Sequence, residues 1–242
     1  MSSSIPPFEG FNRDIFSFLE EIEKNNNTNW FAKNRERYKE NIVLPAKSFV
    51  ASIGQFFTQL NPAIRTEPMF NKTLMRINKD MRFSKDAPYK NYFLIHFGRF
   101  KMDSEFYLYF DKHGADYGIF LNGENGDELF FSHNLERYPK EIIGVFNKYN
   151  LNDRFDLQEM KKVPQLVKKK FNADKNFELL KKSRHLLLEK EISQKSKFLY
   201  TADILTELVK NYASLYPLYC FAVSSQPLKL LDRFEETMGV PV

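Results

Sequence analysis

The sequence predicts an α+β fold: a single domain in which an antiparallel sheet of four or more strands is flanked by N-terminal and C-terminal helices. Apolar residues follow helical spacing in the first part of the chain, alternate as in strands from about residue 70, and return to helical spacing near residue 136. A hydrophobic content of 43% with 25 phenylalanines is enough for a large core. No Pro/Gly/Ser-rich linker divides the chain, so we expect one domain over residues 8–222 and a peripheral tail at 223–242.

The N-terminal end predicts three helices, because apolar residues recur there at intervals of three and four. A run of asparagines ends the first helix, and Asn27 or Thr28 is a suitable N-cap for the second. Pro45 fits the first turn of the third helix. The predicted helices are 12–24, 29–41 and 45–60.

The middle of the chain is rich in aromatic and β-branched residues and is interrupted by short polar turns, a pattern typical of antiparallel strands. Helical spacing then returns, and Thr201 is a candidate cap for the last helix. A lysine-rich stretch at 161–184 is expected to be a solvated face, with nucleic-acid binding as the less favoured alternative. The predicted strands are 72–78, 91–99, 105–111, 115–122 and 184–192, and the later helices are 136–149 and 201–215.

The connection from Arg76 to Lys90 is the first candidate site, since a polar link between two strands often carries functional side chains. It contains five cationic side chains, which suit phosphate or carboxylate. Asp80 and Asp86 either orient these cations or form ion pairs with Arg82 and Lys90, and the second alternative makes the segment a structural cluster. The candidate ligand-binding residues here are Arg76, Arg82, Ser84, Lys85, Tyr89 and Lys90.

The second helix carries a further group of candidates. Trp30, the only tryptophan, and Arg35 are the remaining predicted ligand-binding residues, with Tyr38 nearby. In the functional interpretation they form an aromatic platform for a base or a sugar beside the basic connection. In the structural interpretation Trp30 and Phe31 anchor the helix in the core, while Asn25 and Asn26 cap helix ends.

Metal and cofactor chemistry finds little support in the sequence. The four histidines are scattered, and the single cysteine, Cys220, lies in an apolar run where a buried, unreactive thiol is expected. One cysteine cannot form an internal disulfide, which fits a reducing compartment. The chain has neither a P-loop nor a Gly-x-Gly-x-x-Gly motif, so no metal and no cofactor are predicted.

Charge and hydropathy limit the partners. A net charge of +5 and a pI near 9.0 permit an anionic partner without requiring one. No stretch has the apolar length of a membrane span, and the N-terminus lacks the features of a secretory signal. We therefore expect a cytoplasmic protein with no membrane partner.

Several motifs follow one another in a specific order. The central one reads Arg76-x-x-x-Asp80-x-Arg82-Phe83-Ser84-Lys85-Asp86-x-Pro88-Tyr89-Lys90, and it is preceded by Asn25-Asn26, Trp30-Phe31, Arg35, Tyr38 and Pro45. With Pro164 and Phe171-x-Ala173 in the later half, the chain resembles the DUF2461 family over roughly residues 8 to 222. The resemblance implies an α+β fold with antiparallel strands flanked by helices, and it supplies no activity. Ala87 departs from the family pattern, which usually has a lysine nearby.

Three functional hypotheses follow. The preferred one is binding of an anionic, phosphate-bearing ligand, a nucleotide or a nucleic acid, in a cleft between the basic connection and the second helix. The second is a hydrolase or transferase acting on a phosphate-bearing substrate, with Asp80 or Asp86 as general base. The third is a structural or protein-interaction module, in which the motif stabilises the fold and an apolar surface such as 215–223 binds a partner.

Overall fold

The computed structural model of the chain describes residues 5–80 and 87–239. Its α-helices are α1 (Asp14–Lys24), α2 (Thr28–Lys33), α3 (Arg35–Tyr38), α4 (Leu44–Leu60), α5 (Phe131–Arg137), α6 (Pro139–Lys148), α7 (Ala173–Asn176), α8 (Asp203–Val223) and α9 (Pro227–Met238). A π-helix spans Lys39–Val43, and 3-10 helices span Phe177–Lys181 and Lys197–Tyr200. The strands are β1 (Phe93–Phe97), β2 (Glu105–Phe110), β3 (Gly114–Asn122), β4 (Asp156–Glu159), β5 (Gln165–Lys168) and β6 (His185–Ser193).

The strands form one antiparallel six-stranded sheet in the order β1-β2-β3-β6-β4-β5. In the register of β4 with β6, Leu157 lies opposite Leu188. The α+β class is therefore confirmed, as are the predicted strands that correspond to β1, β2, β3 and β6. Strands β4 and β5 were not predicted, and β5 lies inside the lysine-rich stretch that we expected to be a solvated face.

The predicted strand at 72–78 is wrong as a continuous element. Its residues make isolated bridges instead, in which Leu74 lies opposite Ile95 of β1 and Asn78 lies opposite Tyr89. A left-handed backbone at Asn71, with φ of 65°, precedes the first bridge. The segment is therefore extended, but it is shared between two pairing partners and forms no regular ladder.

The chain divides into two compact units. The first contains the residues up to Phe97, together with 108–116 and 191–208. Its core is aromatic: the ring of Phe11 lies 5.3 Å from Phe49 and 4.8 Å from Phe110, and Phe57 stacks on Phe97 at 4.2 Å. These rings pack α4 against β1 and, through Phe11, against β2.

The second unit contains residues 98–107, 117–190 and those from Val209 onward. Tyr212 of α8 donates a hydrogen bond of 2.7 Å to the backbone carbonyl of Tyr107, and its ring lies 5.5 Å from Phe106. The predicted apolar surface at 215–223 is wrong, because every residue from Leu215 to Val223 is buried. The predicted helix end at residue 215 is also wrong, since α8 continues through Pro217. Burial of its apolar side chains offsets the hydrogen bond that the proline removes.

Two other predicted helices are divided. The predicted helix 29–41 breaks at Asn34, whose side-chain amide donates to the Trp30 carbonyl at 3.0 Å and so competes with the helical backbone. The predicted helix 136–149 is two helices that meet at Tyr138, because the residue before Pro139 is kept out of the helical conformation.

The C-terminal segment forms α9, an element that the sequence analysis did not predict. Phe234 of this helix is buried, with its ring 4.9 Å from that of Tyr216. No helix within residues 5–80 and 87–239 is both long and apolar enough to cross a lipid bilayer.

Candidate functional site

A cavity of about 360 Å³ lies in the first unit, between the π-helix region and the extended segment at 76–78. Its volume falls within the range of small-molecule binding sites. The floor is apolar and the remaining lining is cationic or neutral. The described lining residues are Phe31, Arg35, Tyr38, Lys39, Val43, Phe70, Arg76, Ile77 and Asn78.

One wall of the cavity comes from α3 and the π-helix. Arg35, Lys39 and Val43 are spaced four residues apart, which places them on one helical face. Arg37 on the opposite face connects this wall to α1: its guanidinium donates to Asp14 at 2.6 and 2.7 Å, and to Glu21, two turns further along the same helix, at 2.8 Å. The pKa of Asp14 is lowered to about 2, chiefly by the hydrogen bonds from Arg37.

The opposite wall is an extended pair of segments on either side of residues 81–86. The backbone N–H of Lys79 donates to the carbonyl of Pro88 at 2.8 Å, and the N–H of Lys90 donates to the carbonyl of Ile77 at 2.7 Å. These bonds hold the two ends of the predicted basic connection side by side. Arg76 and Asn78 are exposed while Ile77 between them is buried, as alternation along an extended chain requires.

Asn26 anchors this pair of segments to the start of α2. Its side-chain amide donates to the carbonyl of Tyr89 at 2.9 Å, and its oxygen accepts from the N–H of the same residue at 2.9 Å. The Tyr89 ring then stacks on Phe31 of the cavity floor at 4.3 Å. The expected capping role of Asn26 is wrong, because the cap is Asn27, which accepts from the N–H of Trp30 at 2.9 Å.

The cavity has an excess of positive charge. Within the described residues, no carboxylate lies at salt-bridge distance from Arg35 or Arg76, whereas Lys39 pairs with the exposed Glu36 at 2.7 Å. The ammonium of Lys90 donates a hydrogen bond of 2.7 Å to the backbone carbonyl of Arg76. Partial burial lowers the pKa of Lys90, and the positive charge of Lys79 lowers it further. The positive charges of Lys79 and Lys90 therefore repel each other.

A buried hydroxyl adds to this polarity. Tyr38 is 6% exposed, and its hydroxyl has no hydrogen-bond partner in the described part of the chain. Burial raises the pKa of this phenol, so the group stays neutral at physiological pH. An unsatisfied buried hydroxyl lowers the stability of the folded state.

Comparison with known families identifies a match over most of the chain. The family described as "conserved hypothetical protein (DUF2461)" matches residues 14–221, well over half of the chain. The chain belongs to the DUF2461 family. No curated protein and no solved structure matches it. The resemblance that the sequence motifs indicated is confirmed, and the DUF2461 match includes every described residue that lines the cavity.

The structure brings together only some of the predicted site residues of this DUF2461 protein. Arg35 and Arg76 both line the cavity. Tyr89 packs behind the floor, and Trp30 packs on Phe18 with 5.4 Å between the rings, outside the described lining. Asp80 is exposed and is also absent from the described lining. The predicted residues Arg82, Ser84, Lys85 and Asp86 lie outside the described residues. Each predicted ion pair, Asp80–Arg82 and Asp86–Lys90, includes one of them and therefore also lies outside.

The sequence analysis missed several cavity residues. Lys39 could have been found from its spacing of four from Arg35 along the helix. Phe70 and Asn78 carry no such signal, because they reach the cavity through an irregular chain path. Asn26 was noticed, but nothing in the sequence indicated that it would bind a backbone 63 residues away.

The described part of the protein contains neither a grouped set of metal-ligating side chains nor an exposed thiol. No three His, Cys, Asp or Glu side chains are grouped there as a metal site requires. Cys220 is fully buried, and burial raises the pKa of its thiol. The expectation of an unreactive, buried cysteine is consistent with that environment.

Proposed function

We propose that the cavity binds an anionic, phosphate-bearing ligand, such as a nucleotide or the phosphates of a nucleic acid. One observation carries the proposal: Arg35 and Arg76 line the same cavity, and neither has a carboxylate partner within the described residues. Both side chains are exposed, whereas the half-buried Arg37 nearby is paired with Asp14 at 2.6 Å. Two guanidinium groups that line one small cavity suit a phosphate group, because each arginine can donate two parallel hydrogen bonds to its oxygens.

The rest of the lining favours an organic phosphate over the inorganic ion. Phe31 and Phe70 supply flat apolar surface next to the cations, which suits a base or another ring. The side-chain amide of Asn78 can hydrogen-bond to neutral polar groups of such a ligand. A ligand with an anionic end and a ring would use both parts of the cavity.

The geometry supports binding better than turnover. The described lining residues include no carboxylate, histidine or thiol that could act as a general base. Asp80 is exposed outside that lining. The hydrolase or transferase hypothesis would need a base from elsewhere, so we rank it below binding.

The proposal can be tested by thermal shift and calorimetric titration with four probes: inorganic phosphate, pyrophosphate, a panel of nucleoside phosphates and a single-stranded oligonucleotide. We expect a nucleoside phosphate to raise the melting temperature of the wild type by mass action. Arg35→Ala and Arg76→Ala should each weaken that binding by about tenfold or more, since a charge-assisted hydrogen bond contributes about 1.5–3 kcal/mol. Arg35→Lys should retain only part of the binding affinity, because lysine keeps the positive charge but lacks the paired N–H donors of the guanidinium.

Arg184→Ala is the matched control, because Arg184 is exposed, does not line the cavity and belongs to the second unit. It should bind the probe as the wild type does. A wild type that responds to none of the probes, or cavity variants that bind as tightly as Arg184→Ala, would contradict the proposal. Titration at several salt concentrations is needed, because phosphate contacts weaken as salt rises.

A further inference from the structure

The second unit presents an unusual exposed strand. All four residues of β5 are exposed, and apolar side chains are concentrated around them. The exposed fractions are 39% for Met160, 70% for Val163, 56% for Leu166 and 36% for Val167. Concentrated exposed apolar surface marks interaction sites more often than single exposed residues do.

This strand is also an open edge of the sheet. Within the described residues, β5 pairs with β4 on one side and with no strand on the other. The opposite edge is treated differently: the N–H of Met75 donates to the carbonyl of Leu94 at 3.0 Å, and the N–H of His96 donates to the carbonyl of Thr73 at 2.9 Å. The β1 edge is thereby covered by the chain itself, while the β5 edge leaves backbone groups available for pairing.

The charge around this edge has one sign. Residues 160–170 contain five lysines and no acidic residue, and all of them are exposed. Lys161 pairs with Glu159 of β4 at 2.8 Å. The other four have no carboxylate partner among the described residues, and they are Lys162, Lys168, Lys169 and Lys170.

We propose that the β5 edge, defined as residues 160–170, binds an extended acidic peptide segment of a partner protein as an added strand. Backbone pairing with β5 would hold the peptide, Leu166 and Val167 would contact its apolar side chains, and the lysines would attract its carboxylates. A second copy of this chain does not fit as the occupant, because pairing two such edges would bring the lysine clusters together.

A nucleic acid fits this edge less well than a peptide. Residues 160–170 contain no aromatic side chain on which a base could stack and no arginine for a bidentate phosphate contact. The side chains exposed between the lysines are aliphatic. Lysines alone on an edge strand serve to prevent aggregation, but that role does not explain exposed leucine and valine between them.

The test uses fluorescein-labelled peptides that alternate Asp or Glu with Val or Ile, titrated against the full-length protein by anisotropy. We expect saturable binding that weakens with salt, and slowed amide exchange at residues 165–168 when the peptide is bound. Lys168→Glu combined with Lys169→Glu should weaken binding by about tenfold or more, because two attractive pairs become repulsive. Lys175→Glu combined with Lys182→Glu changes the charge equally at exposed lysines outside the edge, and should cost much less.

A second probe separates strand addition from charge attraction without altering the protein. Two peptides of the same sequence are N-methylated at alternate residues, one at its acidic positions and one at its apolar positions, so that each lacks hydrogen-bond donors along a different edge. The peptide methylated on the edge that pairs with β5 should bind about tenfold more weakly than the unmethylated peptide. Unchanged binding of both methylated peptides overturns the added strand. Binding of a single-stranded oligonucleotide in preference to every acidic peptide overturns the proposal in favour of a nucleic-acid surface, and the absence of any peptide binding overturns it outright.

Discussion

Removing the side chain of Asn26 should loosen the wall of the cavity. Asn26 makes two hydrogen bonds of 2.9 Å to the backbone of Tyr89, which is 6% exposed. At about 1 kcal/mol for each bond, Asn26→Ala should lower the free energy of unfolding by about 2 kcal/mol. The carbonyl and N–H of Tyr89 also lose their partners, so the local effect should exceed the global one.

Urea denaturation followed by tryptophan fluorescence measures the global effect, and amide exchange at Tyr89 measures the local one. The Tyr89 N–H should exchange faster in Asn26→Ala, because Asn26 is its hydrogen-bond acceptor. Asn29→Ala is the control: Asn29 is exposed on α2, and alanine favours a helix. A loss of stability under about 0.5 kcal/mol, with unchanged exchange at Tyr89, would refute the reasoning.

Asn26→Asp gives a sharper result. The substitution keeps the acceptor for the Tyr89 N–H but turns a carboxylate oxygen toward the Tyr89 carbonyl, where the amide had donated. Near neutral pH this variant should be at least as unstable as Asn26→Ala. Its stability should recover as pH falls, because a protonated carboxyl can donate to the carbonyl again, which raises the pKa of the introduced group in the folded state. A variant whose stability falls with pH in parallel with that of the wild type would contradict this geometry.

Two other predictions concern the framework. Gly118→Ala would place a Cβ 1.9 Å from the carbonyl oxygen of Leu188 and should destabilise the protein by about 3 kcal/mol or more. Gly144→Ala meets no atom within 4 Å and should stabilise α6 by about 0.5–1 kcal/mol. Chemical denaturation of both variants measures this contrast. Arg37→Ala should cost about 1 kcal/mol or more near neutral pH, after allowance for solvent screening. The difference in unfolding free energy between Arg37→Ala and the wild type should shrink as pH falls from 3.8 toward about 2, because protonation of Asp14 abolishes the ion pair in the wild type. A difference that stays constant over this pH range would contradict the prediction.

The sequence by itself determined the fold class and a core set of elements. Helices α1 and α4 bury one face, so their apolar residues recur at helical spacing, and strands β1, β2, β3 and β6 carry buried aromatic and aliphatic residues that can be recognised locally. The lysine-rich strand β5 has no buried face, so its sequence shows no alternation of apolar and polar residues from which a strand could be predicted. Pairing with β4, across the short connection 160–164, is what makes it a strand.

The sequence also singled out both arginines of the cavity, because cationic residues beside aromatic ones form a recognisable pattern. It could not bring them together. Arg35 and Arg76 lie 41 positions apart in the sequence. The hydrogen bonds of Asn26 to the Tyr89 backbone and of Arg37 to Asp14 hold the two walls that carry them. These are single polar contacts between distant residues. Local propensity does not encode such contacts, since their free energy depends on burial and geometry that exist only once the chain has folded.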